Sequence, residues 1–258
     1  MGLLQEMGDR LYEAMQARQP IPPLTEELPE MSVDEAYTVQ TQLVERLIGD
    51  GASVTGYKLG LTSRPMQQMI GVDQPDFAPV MSHMVHDESA PIDLSRFIQP
   101  KVEAEIALVL KEPLRGPGVT TLQAGRAVAG AVAAIELVDS RIQDWKVRLA
   151  DTVADLASAG AIVLGQTLVP LQGWDLRLTG MAVERNGELE DTGAGAAALG
   201  SPLAAVAWLA NTLAPYDVEL QPGHVVMTGA LHRAFEVAPG DLVRAEFDRI
   251  GAVTVRFA

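Results

Sequence analysis

The stretch "KVEAEIALVL", Lys101 to Leu110, decides how the chain is read. It has the apolar density of a core strand, yet Glu103 and Glu105 interrupt it. In a strand, residues i and i+2 share a face, so both carboxylates project together while Val102, Ala104, Ile106 and Leu108 project the other way. Two like charges side by side on a buried strand raise each other's pKa, or they need a cation between them. The stretch therefore predicts a sheet whose face carries a cation site, if the rest of the chain supplies one.

Working outward, the chain from Val54 reads as short strands with glycine turns: "VTGYKLGL", "AVAAIELVD", "GAIVLG", "LRLTGMAVERNGELEDTG", "HVVMTG" and "LVRAEFDRIGAVTVRFA". Asn186-Gly187 between alternating segments is a hairpin signal. Two helices interrupt the strands, one near Thr121 to Val128 and one from the N-cap Ser201, with Pro202 at its first position, to about Leu213. Before Val54 the texture is helical. Leu3 to Ala17 is a helix, "QPIPPLTEELPE" is a proline-rich break, and "SVDE" at Ser32 is a capping box ahead of Ala36, Val39, Leu43 and Leu47. These readings give a small helical section over residues 1–50 and a larger unit over 51–258. Strands outnumber helices without repeating βα units, which predicts a mixed, mostly antiparallel α+β fold.

Composition narrows the function. The 258 residues are 48% hydrophobic, enough for a sizeable core. A formal net charge of −15, without clustered Lys and Arg, argues against nucleic acid and against anionic membrane surfaces. An acidic substrate would then need a local cation. There is no cysteine, hence no disulfide, thiolate nucleophile or thiolate zinc site. The start "MGLLQEMGDRLYEAMQ" lacks the basic and apolar regions of a signal peptide, and Glu6 breaks the myristoylation pattern. No apolar run approaches the ~18 residues that span a bilayer. The expectation is a soluble cytoplasmic protein.

A third carboxylate, Glu136 in "AVAAIELVDS", lies in another apolar stretch. Three oxygen donors with few histidines suit a hard divalent cation, Mg²⁺ or Mn²⁺ more than Zn²⁺. The alternative is that these glutamates face solvent from edge strands. Lys58 in "TGYKLGLTS" is a lone ammonium in a strand-like segment. Near a cation and out of water its pKa would fall, fitting it for acid-base work; otherwise it is a surface lysine at a strand end. Ser158 in "ADLASAG" and Thr228 in "VMTGAL" are hydroxyls beside small residues, where backbone can approach a ligand. Asp76 in "GVDQPDF" reads as a loop residue. His83, His86, His224 and His232 show no metal spacing, and neither a phosphate-binding glycine loop nor a G-x-S-x-G elbow is present.

The segments "GYKLGLTSRPMQQMIGVDQPDF", "QPKVEAEIALVL", "AAIELVDSRIQDW", "DTVAD" and "NTLAPYDVELQPGHVVMTGAL" closely resemble the 2-keto-4-pentenoate hydratase family of the fumarylacetoacetate hydrolase superfamily. The similarity runs from about Met31 to the C-terminus, with the motifs in the family's order. The resemblance implies a mixed β-roll with a small N-terminal helical part, and symmetric homo-oligomers, often decamers. It places Glu103, Glu105 and Glu136 on the Mg²⁺ ligands, Lys58 on the active-site lysine, Asp76 on the aspartate of a Pro-Asp loop and Ser158 on a serine of the pocket. Leu59, Arg64, Leu156, Thr228 and Gly229 are expected around the substrate. Arg64 would meet a second carboxylate on a longer substrate or cap the adjacent helix.

By the same resemblance the substrate is a small 2-hydroxydienoate, the enol of a 2-oxo acid, to which water adds to give a 4-hydroxy-2-oxo acid in the meta-cleavage of aromatic compounds. Lys58 would move the dienol proton, and Asp76 or Ser158 would handle the water. A 4-oxalocrotonate-type decarboxylase is the alternative, though "DQPDF" and "RIQDW" sit nearer the hydratases. A carbon-carbon hydrolase would need a His-Glu pair that the N-terminal region lacks. Intact Lys58 and all three glutamates argue against a non-catalytic partner subunit. One departure stands out: the family usually has Asn where this chain has Leu156. If that side chain faces the pocket, a more apolar substrate is expected; if it faces the core, little changes.

Overall fold

A computed structural model describes residues 2–64, 67–68 and 71–258. Three helices begin the chain: α1 (Leu3–Ala17), α2 (Leu24–Glu27) and α3 (Val33–Gly49). The capping box at Ser32 forms as its sequence predicts. The Glu35 N–H donates to Ser32 Oγ, and the Ser32 N–H donates to Glu35 Oε2 at 2.8 Å. The helical repeat then buries Ala36, Val39, Leu43 and Leu47, and a fully buried leucine such as Leu43 contributes roughly 1.5–3 kcal/mol. The proline-rich break is not wholly irregular, since it holds the single turn of α2.

Strands β1 (Val54–Gly60), β2 (Asp76–Met81), β3 (Val85–Asp87), β4 (Lys101–Leu110), β5 (Val128–Val138) and β6 (Ala159–Leu164) follow, with α4 (Thr121–Ala127) before β5 and α5 (Leu149–Ala154) before β6. The hairpin β7 (Gly180–Arg185) and β8 (Glu188–Ala194) turns at Asn186 and Gly187, whose φ of 56° and 83° are the left-handed pair that a two-residue hairpin needs. Helix α6 (Pro202–Leu213) precedes β9 (Val225–Met227), β10 (Phe235–Glu236), β11 (Leu242–Phe247) and β12 (Gly251–Arg256).

The strands make two sheets among the described residues. The larger runs β2-β1-β9-β4-β5-β6-β3, with β10 on the edge of β4; the smaller runs β12-β11-β7-β8 and packs on β5 and β6. Only β1/β9 and β3/β6 are parallel, which is the mixed, mostly antiparallel α+β arrangement expected. The N-terminal helices share one hydrophobic core with the large sheet through Met7, Leu11, Leu43 and Tyr57. Polar ties reinforce that contact: Gln40 Nε2 donates to Phe77 O (3.1 Å) and Val153 O (2.7 Å), and Thr25 donates twice to Asp151.

The 22-residue stretch Gly195–Tyr216 holds an 18-residue window of mean hydropathy 1.3 and is long and apolar enough by composition to cross a membrane, contrary to the expectation from sequence. Its α-helical part, α6, spans about 18 Å at ~1.5 Å per residue, short of the ~30 Å hydrocarbon core. Ala205, Val206, Leu209 and Leu213 of α6 are buried in the protein's own core.

Candidate active site

The site is assembled where β4 and β5 run antiparallel at the middle of the large sheet. Glu103 and Glu136 are cross-strand partners, and Glu105 lies two residues along β4 opposite Ala134. All three side chains therefore share one face. A carboxylate oxygen from each lies within 4.8 Å of the others. Glu105 and Glu136 are fully buried, and Glu103 opens partly to a cleft of about 280 Å³. The solvent-facing alternative for these glutamates is excluded.

Such a cluster is costly unless something positive joins it. Lys58 on β1 supplies one charge: its Nζ is 3.2 Å from Glu136 Oε1 and donates to Ala157 O at 2.8 Å. The Gly229 N–H donates to Glu105 Oε2 at 2.8 Å. Yet Glu105 Oε1 and both Glu136 oxygens accept no well-formed hydrogen bond, the lysine contact being an ion pair only. Burial, together with the neighbouring carboxylates, raises Glu105 well above the ordinary range and pushes Glu103 up to about 7. Three buried carboxylate oxygens without a hydrogen bond, in an all-oxygen donor set, fit a divalent cation that keeps positions open to substrate.

The lysine differs from its expectation. Burial alone would lower its pKa, but Glu136, Asp76, Glu103 and Glu105 together hold it above the usual lysine value, so it is charged. Asp76 also differs: it is not a loop residue but the first residue of β2, buried, and paired with Gly60 across the sheet. A Cβ on Gly60 would lie 2.1 Å from Asp76 Oδ1, so glycine there leaves room for the carboxyl. Burial raises the Asp76 pKa, with Lys58 opposing.

The opposite wall is a left-handed turn. Leu156, Ala157 and Ser158 have φ of 53°, 48° and 56°, a run that costs ~1–2 kcal/mol per residue and persists only where its surroundings impose it. Those surroundings are a buried ion pair, Arg141 with Asp155. Arg141 also donates through Nη1 to Asp139 O (2.6 Å) and Ala159 O (2.7 Å), and Ser140 Oγ donates to Asp155 Oδ2 (2.9 Å). The Ser158 N–H donates to Asp155 O and the Asp139 N–H to Ser158 O, both at 2.8 Å. The turn thus aims the Ala157 carbonyl at Lys58 and the Ser158 hydroxyl into the cleft. Thr152 Oγ1 stands 3.4 Å from Ser158 Oγ and 3.5 Å from Asp76 Oδ2, linking the two.

Lys58, Leu59, Asp76, Glu103 and Ser158 all border the cleft, together with Trp145, Val147 and Val138 on an apolar wall. Four expected substrate contacts are elsewhere. Leu156 is fully buried among core residues and off the cleft wall, because the turn that presents Ser158 rotates Leu156 inward. Thr228 is buried and donates to Ile106 O at 2.7 Å, tying the chain after β9 to β4. Gly229 acts through its N–H on Glu105, and its φ of 109° and the Thr62 side chain above it leave no space for a Cβ. Arg64 is exposed and does not border the cleft. Sequence reasoning missed Thr152, the Arg141–Asp155 pair, His232 and the cleft-lining Lys101, Arg148 and Arg233. The one available signal was Asp155 among apolar neighbours, a charge that must be paired if buried.

The geometry has counterparts. Among curated proteins, the 2-keto-4-pentenoate hydratase of Paraburkholderia xenovorans (strain LB400) is 44% identical over 253 residues, covering 98% of this chain and 94% of the relative. A 2-hydroxypent-2,4-dienoate hydratase of Pseudomonas putida is 47% identical over 217 residues, 84% of this chain and 98% of the relative. Among solved structures, 4-oxalocrotonate decarboxylase from Pseudomonas putida G7, complexed with magnesium and adipate, superposes with a TM-score of 0.95 at 34% identity, over 99% of this chain and 97% of that one. The same enzyme has been solved with calcium and acetate. The family profile described as fumarylacetoacetate (FAA) hydrolase C-terminal matches residues 60–258. With its three-glutamate face, its fold and these relatives in agreement, the chain belongs to the fumarylacetoacetate hydrolase family, on its hydratase and decarboxylase branch.

Proposed function

We propose that the protein is a metal-dependent hydratase that adds water to a 2-hydroxydienoate, giving a 4-hydroxy-2-oxo acid in the meta-cleavage degradation of aromatic compounds. The observation that carries this reading is the convergence of Glu103, Glu105 and Glu136 beside a charged Lys58 at the floor of a mostly apolar cleft. Mg²⁺ or Mn²⁺ on the three glutamates would supply Lewis-acid chelation of the 2-oxo-acid head group and offset the site's negative field.

The chain's own residues do the rest. Lys58 reaches the floor with a proton to give, and the Ala157 carbonyl and Glu136 fix its direction. It gives its proton to the terminal carbon of the dienol and takes up the proton of the 2-hydroxyl, which leaves the α,β-unsaturated ketone and a lysine charged as before. Asp76, Thr152 and Ser158 form a polar line along the cleft, in which the Ser158 hydroxyl orients the water and the Asp76 carboxylate takes its proton. Val138, Trp145 and Val147 hold the substrate tail and exclude bulk water.

A second reading, decarboxylation of a 2-oxo diacid, is favoured by the cations of Lys101, Arg148 and Arg233 around the cleft and by the likeness to 4-oxalocrotonate decarboxylase. Mass-spectrometric product analysis with Mg²⁺ and freshly generated 2-hydroxypenta-2,4-dienoate or 2-hydroxymuconate separates the two. Metal-dependent gain of one water on the first is the expected result. Loss of carbon dioxide from the second, with the first unchanged, would replace the hydratase reading.

A further inference from the structure

Strand β4 has an incomplete edge beside the metal-ligand candidates. Strand β10 pairs only with Lys101 and Val102, and β9 only with Ala107, Leu108 and Val109. Between them Ala104 turns both its backbone groups to a gap, and Ala104 lies between Glu103 and Glu105. The segment 228–234 fills that gap without being a strand. The Leu231 N–H donates to Ala104 O at 3.1 Å, and the Ala104 N–H donates to His232 Nε2 at 2.8 Å.

A ring nitrogen that accepts from a backbone N–H carries no proton, which settles the other nitrogen. His232 Nδ1 is 2.8 Å from Arg233 O, an acceptor only, so Nδ1 bears the hydrogen and donates. Phe235 packs on the ring at 5.6 Å between centroids. Both nitrogens are thus occupied by backbone. Although His232 borders the cleft, it has no free nitrogen for acid-base work on a substrate.

We propose that His232 is a positioning residue for the cation site: its neutral Nδ1–H imidazole replaces a missing strand at Ala104 and fixes the spacing of the Glu103 and Glu105 carboxylates. The inference rests on the reading of the three glutamates as metal ligands. A ligand pair set two residues apart is only as rigid as the peptide between them, and outer-shell partners of this kind typically govern metal affinity by about 10–100-fold.

The test compares wild type, His232→Phe and His232→Gln by titrating Mn²⁺ calorimetrically into chelator-treated protein, with kcat measured at low and saturating Mn²⁺. Phe keeps the ring area but cannot accept; Gln restores a carbonyl acceptor. The expected result is a Mn²⁺ Kd raised about 10-fold or more in His232→Phe, recovered by at least half on a logarithmic scale in His232→Gln, with kcat of both returning toward wild type at saturating Mn²⁺. Unchanged Mn²⁺ affinity in His232→Phe overturns the proposal while leaving the glutamate site standing. Wild type that binds no Mn²⁺ overturns both. If His232→Phe does not fold, ¹⁵N spectra of histidine-labelled wild type decide: the Nδ1–H tautomer at His232 supports the role, and the Nε2–H tautomer refutes it.

Discussion

Glu103 and Glu136 face each other across the β4/β5 ladder, and their carboxylates meet Glu105's on one face of the sheet with a single ammonium, that of Lys58, in contact. Two adjacent strands thus direct three negative charges to one point, an arrangement that opposes folding unless protons or a cation occupy it. The stability of the protein is therefore tied to the state of this cluster.

The first prediction concerns pH in the absence of metal. Glu103 is pushed up to about 7 from an ordinary 4.5 by burial and by Glu136, so the folded chain binds its proton more tightly than the unfolded chain. That contribution is fully present below about pH 4.5 and is lost as pH rises through about 7. The four histidines, held low by burial, act in the opposite sense, so the readout is the difference between wild type and Glu103→Gln. In chelator, the melting temperature of wild type relative to that variant should fall between pH 5 and 8. Saturating Mg²⁺ should restore wild type by about 2.7 kcal/mol at 100 Kd. A relative melting temperature that rises over that range would contradict the crowding of these carboxylates.

Glu105→Gln separates metal binding from folding. The glutamine carbonyl still accepts from the Gly229 N–H, so the local hydrogen bond survives and a buried negative charge is removed. Mn²⁺ affinity should drop by more than the 10–100-fold typical of an outer-shell change, with metal-dependent turnover lost. Urea denaturation in chelator should show stability equal to or above wild type. Full activity in the variant would dismiss Glu105 as a ligand.

Lys58→Met should part catalysis from metal binding. The lysine competes with any cation for Glu136, so removing its charge leaves Mn²⁺ affinity equal or higher. Turnover should nevertheless fall by about 10²–10⁴-fold, the usual contribution of a positioned proton carrier. Retained kcat would assign the proton transfer to another group, and lost Mn²⁺ binding would make Lys58 structural.

What could be read from the sequence follows from range. Glu103 and Glu105 were legible because strand period alone fixes their common face, and Lys58 because an ammonium inside an apolar segment is anomalous. The pairing of Glu103 with Glu136 was not, since register depends on the whole sheet. The long helices, the Ser32 cap and the Asn186-Gly187 turn are local and came out as expected. His232 and Thr152 were invisible because their roles depend on where loops cross other strands. The side that Leu156 faces stayed open for a related reason: three successive left-handed residues have no sequence signature when none of them is glycine or asparagine.

That turn supplies the last prediction. Arg141 and Asp155 are both buried, and the Arg141 guanidinium, held by the Asp155 carboxylate, donates to the Asp155 and Ala159 carbonyls on either side of residues 156–158. Burial pushes Asp155 up to about 6 while Arg141 opposes, so at neutral pH the pair is ionised and matched. Asp155→Asn keeps the shape and one acceptor oxygen but strands the Arg141 charge, which typically costs about 3–5 kcal/mol in a buried pair. The urea midpoint should fall accordingly. Because the Ala157 carbonyl that steers Lys58 and the Ser158 hydroxyl ride on this turn, kcat should fall too, by up to about 100-fold for a displacement near 1 Å. Mn²⁺ affinity should stay within a few-fold, since no glutamate of the cluster belongs to the turn. A variant that loses stability yet keeps wild-type kcat at a temperature where it is folded would show that the turn is held by contacts other than this ion pair.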